Sequence, residues 1–176
     1  MIEEKVKAVI REVENFPKPG ISFKDITPIL KDAALCGEIV NRFAEQLKDT
    51  PFDVICAIES RGFLFGMLLA QHFKVPFVPI RKEGKLPYHK ISYIYDLEYG
   101  SSTVELHRDA IESGARVLIH DDLLATGGTV KAASELVKQL GGKISGFAFL
   151  VELSFLAGRE QLKDYSCPVH SIVHYQ

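Results

Sequence analysis

The sequence predicts an α/β fold in which a mostly parallel, open sheet is flanked by helices. Short runs of apolar, β-branched residues alternate along the chain with segments that have helical periodicity. The runs are apolar almost throughout, which is typical of parallel strands that are buried on both faces. The chain has 176 residues, of which 47% are hydrophobic and 25% charged. This composition favours a single globular domain, residues 1–176, with a substantial core.

The elements can be placed in order along the chain. An N-terminal hood of about thirty residues begins with a helix whose apolar residues recur on one face as far as Val13. Three prolines and a glycine then shape a loop over residues 16–28. After a second helix at 31–48, strands are expected at 53–58, 75–80, 101–107, 116–120, 143–151 and 169–174, and further helices at 63–73 and 128–140.

A long excursion between two strands predicts a flexible lid at about residues 82–96. It is basic and rich in tyrosine, and Gly84 and Pro87 interrupt it. Long connections of this kind are usually functional lids or disordered segments, and a solvated basic loop is the common alternative. We expect the lid to be mobile without ligand and ordered with it.

Several classes of function are disfavoured by composition. The net charge of −2 argues against a nucleic-acid partner. The longest apolar run, 144–151, stops at Glu152 and is too short to span a membrane. The three cysteines, Cys36, Cys56 and Cys167, are odd in number and irregularly spaced, so neither a disulfide framework nor a zinc site is indicated. We therefore expect a cytoplasmic protein with no membrane partner.

One string, V-L-I-H-D-D-L-L-A-T-G-G-T at 117–129, is not explained by folding stability. Asp121 and Asp122 follow a buried strand, where an unpaired carboxylate would cost several kcal/mol. In open parallel sheets, ligands bind beyond the carboxyl ends of the strands. Carboxylates there can accept hydrogen bonds from sugar hydroxyls.

The second half of the string predicts an anion site at the start of a helix. Unpaired backbone N–H groups and the helix dipole favour a phosphate there, and glycines let the backbone approach it closely. A ribose 5-phosphate would satisfy both halves, whereas an ordinary strand-to-helix turn with aspartate capping is the alternative. The phosphate-binding candidates are Ala125, Thr126, Gly127, Gly128 and Thr129.

Arg61 raises a similar question at the end of another strand. It lies in E-S-R-G between apolar segments, and a buried guanidinium needs a partner. A pyrophosphate would supply one, although a surface arginine after a strand is the simpler interpretation.

Taken together, these motifs resemble a known family. The string at 117–129 is similar to the phosphoribosyl-pyrophosphate motif of type I phosphoribosyltransferases. Five further segments resemble the adenine-specific members of that family in order and spacing, so the similarity covers nearly the whole chain. They are F-P-K-P-G-I-S-F-K-D-I-T-P (16–28), E-S-R-G-F-L-F-G (59–66), R-K-E-G-K-L-P (81–87), L-E-Y-G (97–100) and V-E-L (151–153).

The resemblance implies roles for individual residues around the leaving group. It implies a pyrophosphate-binding loop, often with a cis peptide bond, formed by Glu59, Ser60, Arg61 and Gly62. Arg81 and Lys85 would help to bind pyrophosphate, partly across a homodimer interface. The candidate catalytic residues are Asp121, Asp122, Arg61 and Glu98, where Glu98 is an acid–base candidate near the purine or a surface carboxylate, and Tyr99 lies beside it in the lid.

The base would be read by the hood. In the family, main-chain groups at the positions of Ser22 and Lys24 contact adenine. Phe23 would stack on one face of the purine and Leu153 on the other. A hydrophobic plug under the loop is the alternative for Phe23.

The implied reaction joins adenine to 5-phosphoribosyl 1-pyrophosphate (PRPP) and gives AMP and pyrophosphate. Mg²⁺ is the implied cofactor, bound mainly through substrate and water, with no protein side chain as a direct ligand. The alternatives are a phosphoribosyltransferase for another purine and a nucleotide-sensing regulator of the same fold that lost catalysis.

His120 departs from the family, which usually has an aliphatic residue at this position. It is either a core or interface histidine that is hydrogen-bonded and has no role in catalysis, or a source of a modest pH effect on the neighbouring carboxylates.

Overall fold

The computed structural model describes residues 1–96 and 100–176, and most elements lie where the sequence indicates. The strands are β1 (Arg11–Glu14), β2 (Ser22–Asp25), β3 (Val54–Ile58), β4 (Phe77–Lys82), β5 (Lys90–Asp96), β6 (Ser101–His107), β7 (Arg116–Leu124), β8 (Lys143–Leu153) and β9 (Val169–Tyr175). The α-helices are α1 (Ile2–Val9), α2 (Ala33–Leu47), α3 (Gly62–Phe73) and α4 (Gly128–Gln139). Short 3₁₀ helices cover Thr27–Lys31, Ser154–Leu156 and Gly158–Tyr165.

Seven strands form the main sheet in the order β5-β6-β4-β3-β7-β8-β9. The five strands from β4 to β9 in that order pair in parallel. The pairings β4–β6 and β5–β6 are antiparallel, so the lid segment extends one edge of the sheet as a hairpin. This confirms the predicted α/β class with a mostly parallel, open sheet.

Helices cover both faces of the sheet. In β3, Ile55 packs into the hydrophobic cluster that includes α1, α2 and α3, whereas Val54 and Cys56 pack into the cluster that includes α4. A strand whose residues are buried on both faces must be apolar at every position, which is why the runs do not alternate. The five apolar residues of α2 are all buried on its inner face: Leu35, Ile39, Val40, Phe43 and Leu47.

The hood differs from the expectation in one respect. The first helix ends at Val9 and does not continue to Val13. The next residues form β1, which pairs with β2 so that Val13 lies opposite Phe23. Apolar spacing over a few residues fits the end of a helix or a short strand equally well, and the pairing with β2 decides between them.

Two further boundaries differ. Strand β7 continues to Leu124, four residues past the expected end, because β8 pairs with it along that whole length. In the lid segment, residues 90–96 form a regular strand that pairs with seven residues of β6.

No helix within the described residues is both long and apolar enough to cross a membrane.

Candidate active site

The two carboxylates of β7 lie near its carboxyl end, beyond the point where the neighbouring strand β3 stops pairing with it. Strand β3 pairs with β7 only as far as Ala57 and His120, so Asp121 and Asp122 extend beyond it. Asp122 is only 3% exposed. The Asp121 Oδ1 atom accepts a hydrogen bond of 2.8 Å from the backbone N–H of Asp122.

The environment of this pair raises the pKa values of both carboxylates. Burial raises the pKa of Asp121 well above its ordinary value, and the neighbouring Asp122 raises it further. Burial also raises the pKa of Asp122, although the Arg61 guanidinium opposes the change. Two adjacent carboxylates with elevated pKa values at the end of a central strand are typical of a functional site.

Arg61 connects this pair to the hood. Its Nε atom lies 2.9 Å from Oδ2 of Asp122. The N–H bond does not point at that oxygen, which has no directed hydrogen bond from any described group. The guanidinium carbon lies 4.8 Å from the centre of the Phe23 ring, a cation–π contact. Arg61 therefore contacts both the carboxylate pair and the hood, which a solvated arginine after a strand would not do.

The loop before α3 also lies against the carboxylates. The peptide bond between Glu59 and Ser60 is cis. A Cβ atom added to Gly62 would lie 2.9 Å from Asp121 Oδ1 and 3.2 Å from the His120 carbonyl oxygen. Only glycine allows the start of α3 to approach β7 this closely.

Glu59 holds the neighbouring basic residues in place. Its carboxylate accepts hydrogen bonds from Arg81 Nε and Nη2 at 3.3 and 3.2 Å, and from the Lys82 N–H at 2.8 Å. Burial raises the pKa of Glu59, but these bonds outweigh burial and leave the pKa lowered. Arg81 Nη1 also donates to the Lys85 carbonyl oxygen at 3.0 Å. The pair therefore joins the end of β4 to the E-S-R-G loop.

The loop at 125–129 has the geometry expected of an anion site. Gly127 has φ +86°, a left-handed conformation that favours glycine, and α4 begins at Gly128. The Thr129 hydroxyl oxygen lies 3.1 Å from the hydroxyl oxygen of Tyr95 in β5. The lid hairpin therefore rests on the first turn of α4, beside the loop.

In the hood, the side chain of Lys24 is occupied by internal contacts. Its Nζ lies 2.7 Å from Glu12 Oε1, 3.3 Å from Ser22 Oγ and 4.4 Å from the centre of the Tyr175 ring. The main-chain groups of Ser22 and Lys24 point to the same edge of β2, because residues two apart in a strand are equivalent.

Phe23 is half-buried, packed edge-on against Phe16 with ring centres 5.2 Å apart and covered by Arg61 on a ring face. This contact with Arg61 favours a place in the site over a plug under the loop. Leu153 is half-buried at the carboxyl end of β8. Glu98 and Tyr99 lie outside the described residues.

Basic residues in and beside the lid have internal partners. Arg81, just before the lid, is bonded to Glu59, and Lys90 Nζ lies 3.0 Å from Glu105 Oε2. Glu105 is 3% exposed and also accepts the Gly84 N–H at 3.1 Å. Sequence reasoning missed this residue, although a lone carboxylate between Val and Leu in a strand was a usable signal.

His120 is a core residue. It is fully buried, and its ring lies edge-on to Phe43 with centres 5.7 Å apart. Neither ring nitrogen has a hydrogen-bond partner among residues 1–96 and 100–176, so the expected hydrogen bond is not found. Burial lowers the pKa of His120 to about 4, so the ring is neutral near pH 7, and this argues against a pH effect on the carboxylates.

A mostly parallel sheet with two carboxylates, an arginine and a glycine-containing loop near the carboxyl ends of its central strands fits a phosphoribosyltransferase. A family model described as the phosphoribosyl transferase domain matches residues 27–173. The chain belongs to this family.

Within it, the relatives point to one branch. An adenine phosphoribosyltransferase of Cytophaga hutchinsonii is 47% identical over 175 residues, which are 99% of this chain and 97% of that protein. The crystal structure of the adenine phosphoribosyltransferase of Thermoanaerobacter pseudethanolicus superposes with a TM-score of 0.95 at 48% identity, covering 99% of this chain and 100% of that one. The Saccharomyces cerevisiae enzyme, complexed with an imino-altritol bisphosphate and adenine, superposes with a TM-score of 0.90 at 39% identity, covering 97% of this chain and 98% of that one.

Proposed function

We propose that this chain is an adenine phosphoribosyltransferase. It transfers the 5-phosphoribosyl group of PRPP to N9 of adenine and releases AMP and pyrophosphate, a step of purine salvage. The contact of Arg61 with both Asp122 and Phe23 carries the proposal, because it brings the sugar, leaving-group and base sites together. The whole chain, 1–176, acts as one domain with a hood at about 1–30 and a lid at about 82–96.

The ribose 5-phosphate is bound between β7 and α4. The backbone N–H groups and hydroxyls of residues 125–129 hold the 5-phosphate at the helix N-terminus. Asp121 and Asp122 accept hydrogen bonds from the ribose hydroxyls. As the glycosidic bond breaks, the ring gains positive charge, and ionised carboxylates beside it stabilise that charge. The low-polarity surroundings that raise their pKa values also strengthen this interaction.

The leaving pyrophosphate is held by the E-S-R-G loop and the end of β4. The hydrogen-bond donors and positive charge for pyrophosphate come from Ser60, Arg61, Gly62, Arg81 and Lys85. The carboxylate of Glu59 would repel the anion directly, so Glu59 acts through the donors that it orients on Arg81 and Lys82. Binding of pyrophosphate draws Arg61 from Asp122, which frees that carboxylate for the sugar.

Adenine is read by the main chain of β2. Its 6-amino group donates to the Ser22 carbonyl and its N1 accepts from the Lys24 N–H. Hypoxanthine reverses both roles and would leave two buried groups unpaired, at about 1–3 kcal/mol each. Together they give discrimination on the order of 10²–10⁴. Phe23 and Leu153 enclose the ring, and Glu98 and Tyr99 belong to the lid edge beside it.

Mg²⁺ fits the donors that are present. No group of three or more His, Cys, Asp or Glu side chains in the described ranges is arranged to hold a metal ion. Magnesium is commonly held by one or two carboxylates together with substrate phosphates and water. The buried Oδ2 atom of Asp122 can accept metal-bound water once Arg61 moves. When bound with PRPP, Mg²⁺ would act as a Lewis acid on the pyrophosphate oxygens.

The protein is proposed to act in the cytoplasm as a homodimer. Helix α3 is apolar on both sides: Phe65 and Leu69 are buried, whereas Leu64, Met67 and Leu68 are 39%, 51% and 42% exposed. A helix that is apolar all round is normally buried all round. A second copy of the chain would cover the outer side.

Pyrophosphate release from PRPP should be measured with adenine, hypoxanthine, guanine and xanthine. We expect kcat/KM for adenine to exceed that for the other bases by about 10²-fold or more, for the reason of unpaired groups given above. Equal use of hypoxanthine or guanine would support the alternative of another purine substrate. Tight PRPP or AMP binding without release from any base would instead support a sensing regulator.

A further inference from the structure

The 5-phosphate loop at 125–129 is backed by a short helical segment that the function above does not use. This segment, Gly158–Tyr165, is called the platform below. It follows the end of β8 at Leu153, after the 3₁₀ helix Ser154–Leu156. The platform contacts no substrate in the proposed reaction, but its backbone packs against the loop near Ala125 and Gly127.

The contact between platform and loop leaves no space for a side chain. A Cβ atom added to Gly158 would overlap the Ala125 carbonyl oxygen and lie 3.0 Å from a methyl carbon of Leu124. From the other side, a Cβ atom added to Gly127 would lie 2.6 Å from the Gly158 carbonyl oxygen and 3.1 Å from Gln161 Cβ. Backbone therefore touches backbone, and neither partner can give way by rotating a side chain.

A bidentate ion pair between Arg159, whose side chain is 41% exposed, and the buried Glu152 fixes the platform to the sheet. Arg159 donates to Glu152 through Nε and Nη2, both at 2.7 Å, and its Nη1 donates to the Val169 carbonyl oxygen at 3.0 Å. Glu152 is 5% exposed, and its Oε2 also accepts the Ser171 hydroxyl at 2.6 Å. Burial raises the pKa of Glu152, but the bonds from Arg159 and Ser171 lower it overall, so the carboxylate is held ionised. A bidentate pair of this kind fixes direction as well as distance.

The carboxyl-terminal end of the platform is bonded to α4, the helix that begins within the loop. The Tyr165 hydroxyl donates to Glu135 Oε1 in α4 at 2.8 Å. The platform is thus tied to β8 and β9 near its first residue, Gly158, which lies against the loop, and to α4 at its last residue, Tyr165.

We propose that Arg159 and Gly158 are positioning residues for the 5-phosphate site. The ion pair with Glu152 fixes Arg159, and Arg159 fixes the adjacent Gly158 against the loop. The contact between Gly158 and the loop keeps the loop's N–H groups directed at the phosphate. The proposal rests on the proposed function, since it assigns residues 125–129 to the 5-phosphate. It requires that disturbing the platform weakens binding of ligands with a 5-phosphate and leaves binding of the free base nearly unchanged.

The first test is Gly158→Ala, with Glu160→Ala as the matched control. Glu160 lies on the exposed side of the same segment, paired only with Lys163 at the surface among the contacts described. For Gly158→Ala we expect the Kd for AMP and the KM for PRPP to rise by about 10-fold or more, which is about 1.4 kcal/mol. The KM for adenine should stay within about 3-fold, and Glu160→Ala should match the wild type. A purely structural defect would reduce the active fraction but would not separate the two KM values.

The second test is Arg159→Lys, which keeps the charge but removes the paired donors and remains informative if Gly158→Ala does not fold. We expect the same separation of KM values at smaller size, about 3- to 10-fold in AMP affinity. Wild-type affinity for AMP in either folded variant would overturn the proposal. If the wild-type chain itself bound neither AMP nor PRPP, the proposed function would fail instead, so the two failures are distinguishable by titrating the unaltered protein first.

Discussion

At the scale of single residues, Asp122 combines three properties that are costly for folding: it is buried, it adjoins a second carboxylate, and its Oδ2 atom lacks a directed hydrogen bond. Asp122→Asn removes the charge and keeps the shape. We expect kcat/KM to fall on the order of 10²-fold, because a charge near the developing cation is lost. We also expect the melting temperature to stay equal or rise, since burial disfavours the charged form of this group.

Steady-state kinetics and thermal unfolding on the same preparations measure both effects. Asp49→Asn, the same chemical change at an exposed position, is the control and should alter neither quantity. Turnover close to that of the wild type in folded Asp122→Asn would remove Asp122 from the catalytic machinery.

Single residues also mark the limit of inference from the sequence. The carboxylate pair, Arg61 and the glycine loop were predictable because each conflicts with folding stability in its local context. The contacts of Glu105 and Arg159 were not, because they depend on tertiary packing: Glu105 bonds Gly84 across the lid, and Glu152, the partner of Arg159, also accepts Ser171 from the neighbouring strand β9. His120 was foreseen as buried, but its missing hydrogen bond depends on packing against Phe43 and α3 that no local pattern encodes.

At the scale of elements, the lid hairpin is more structured than its composition indicated. Strand β5 pairs with β6 over seven residues, and Glu105 holds both Gly84 and Lys90. The pattern of basic and turn-forming residues predicted the excursion, but it could not show that a buried carboxylate on β6 compensates the cations. The same limit applies to the hood, where pairing with β2 overrides a helical spacing.

The lid is nevertheless expected to respond to ligand, because the Tyr95 hydroxyl of β5 lies 3.1 Å from the Thr129 hydroxyl beside the loop at 125–129, and the lid's Lys85 is bonded to Arg81 of the proposed pyrophosphate site. Hydrogen exchange should be followed with and without PRPP and Mg²⁺. We expect slower exchange for amides of residues 82–96 when ligand is bound, by about 10-fold, which corresponds to about 1.4 kcal/mol of added local stability. Peptides from β9, which has no part in the proposed site, provide the internal control. Equal exchange of 82–96 in both states would contradict a closing lid.

At the scale of the whole molecule, an apolar surface of the described chain has no covering element within that chain. It lies where α2 meets α3 and forms a groove of about 740 Å³ whose lining includes Leu30, Val40, Leu64 and Leu68. The exposed fractions of Leu30, Leu64 and Leu68 are 38%, 39% and 42%, which is unusual for neighbouring leucines on a monomer's surface. An apolar surface of this kind is typical of a contact with another protein chain.

The proposed homodimer can be tested on this face with Leu68→Glu. The substitution places a carboxylate where an apolar contact is expected, and burying it unpaired costs several kcal/mol. We expect the dimer dissociation constant to rise by on the order of 10²–10⁴-fold, measured by sedimentation over a range of protein concentrations. Ile94→Glu is the control, because Ile94 is 69% exposed on β5, away from this groove, and the same exchange there should leave the dimer intact. If Arg81 and Lys85 act partly across the interface, the Leu68→Glu monomer should also lose affinity for pyrophosphate while it remains folded. A wild-type chain that sediments as a monomer would refute the dimer, whereas a fully active Leu68→Glu monomer would refute only the shared site.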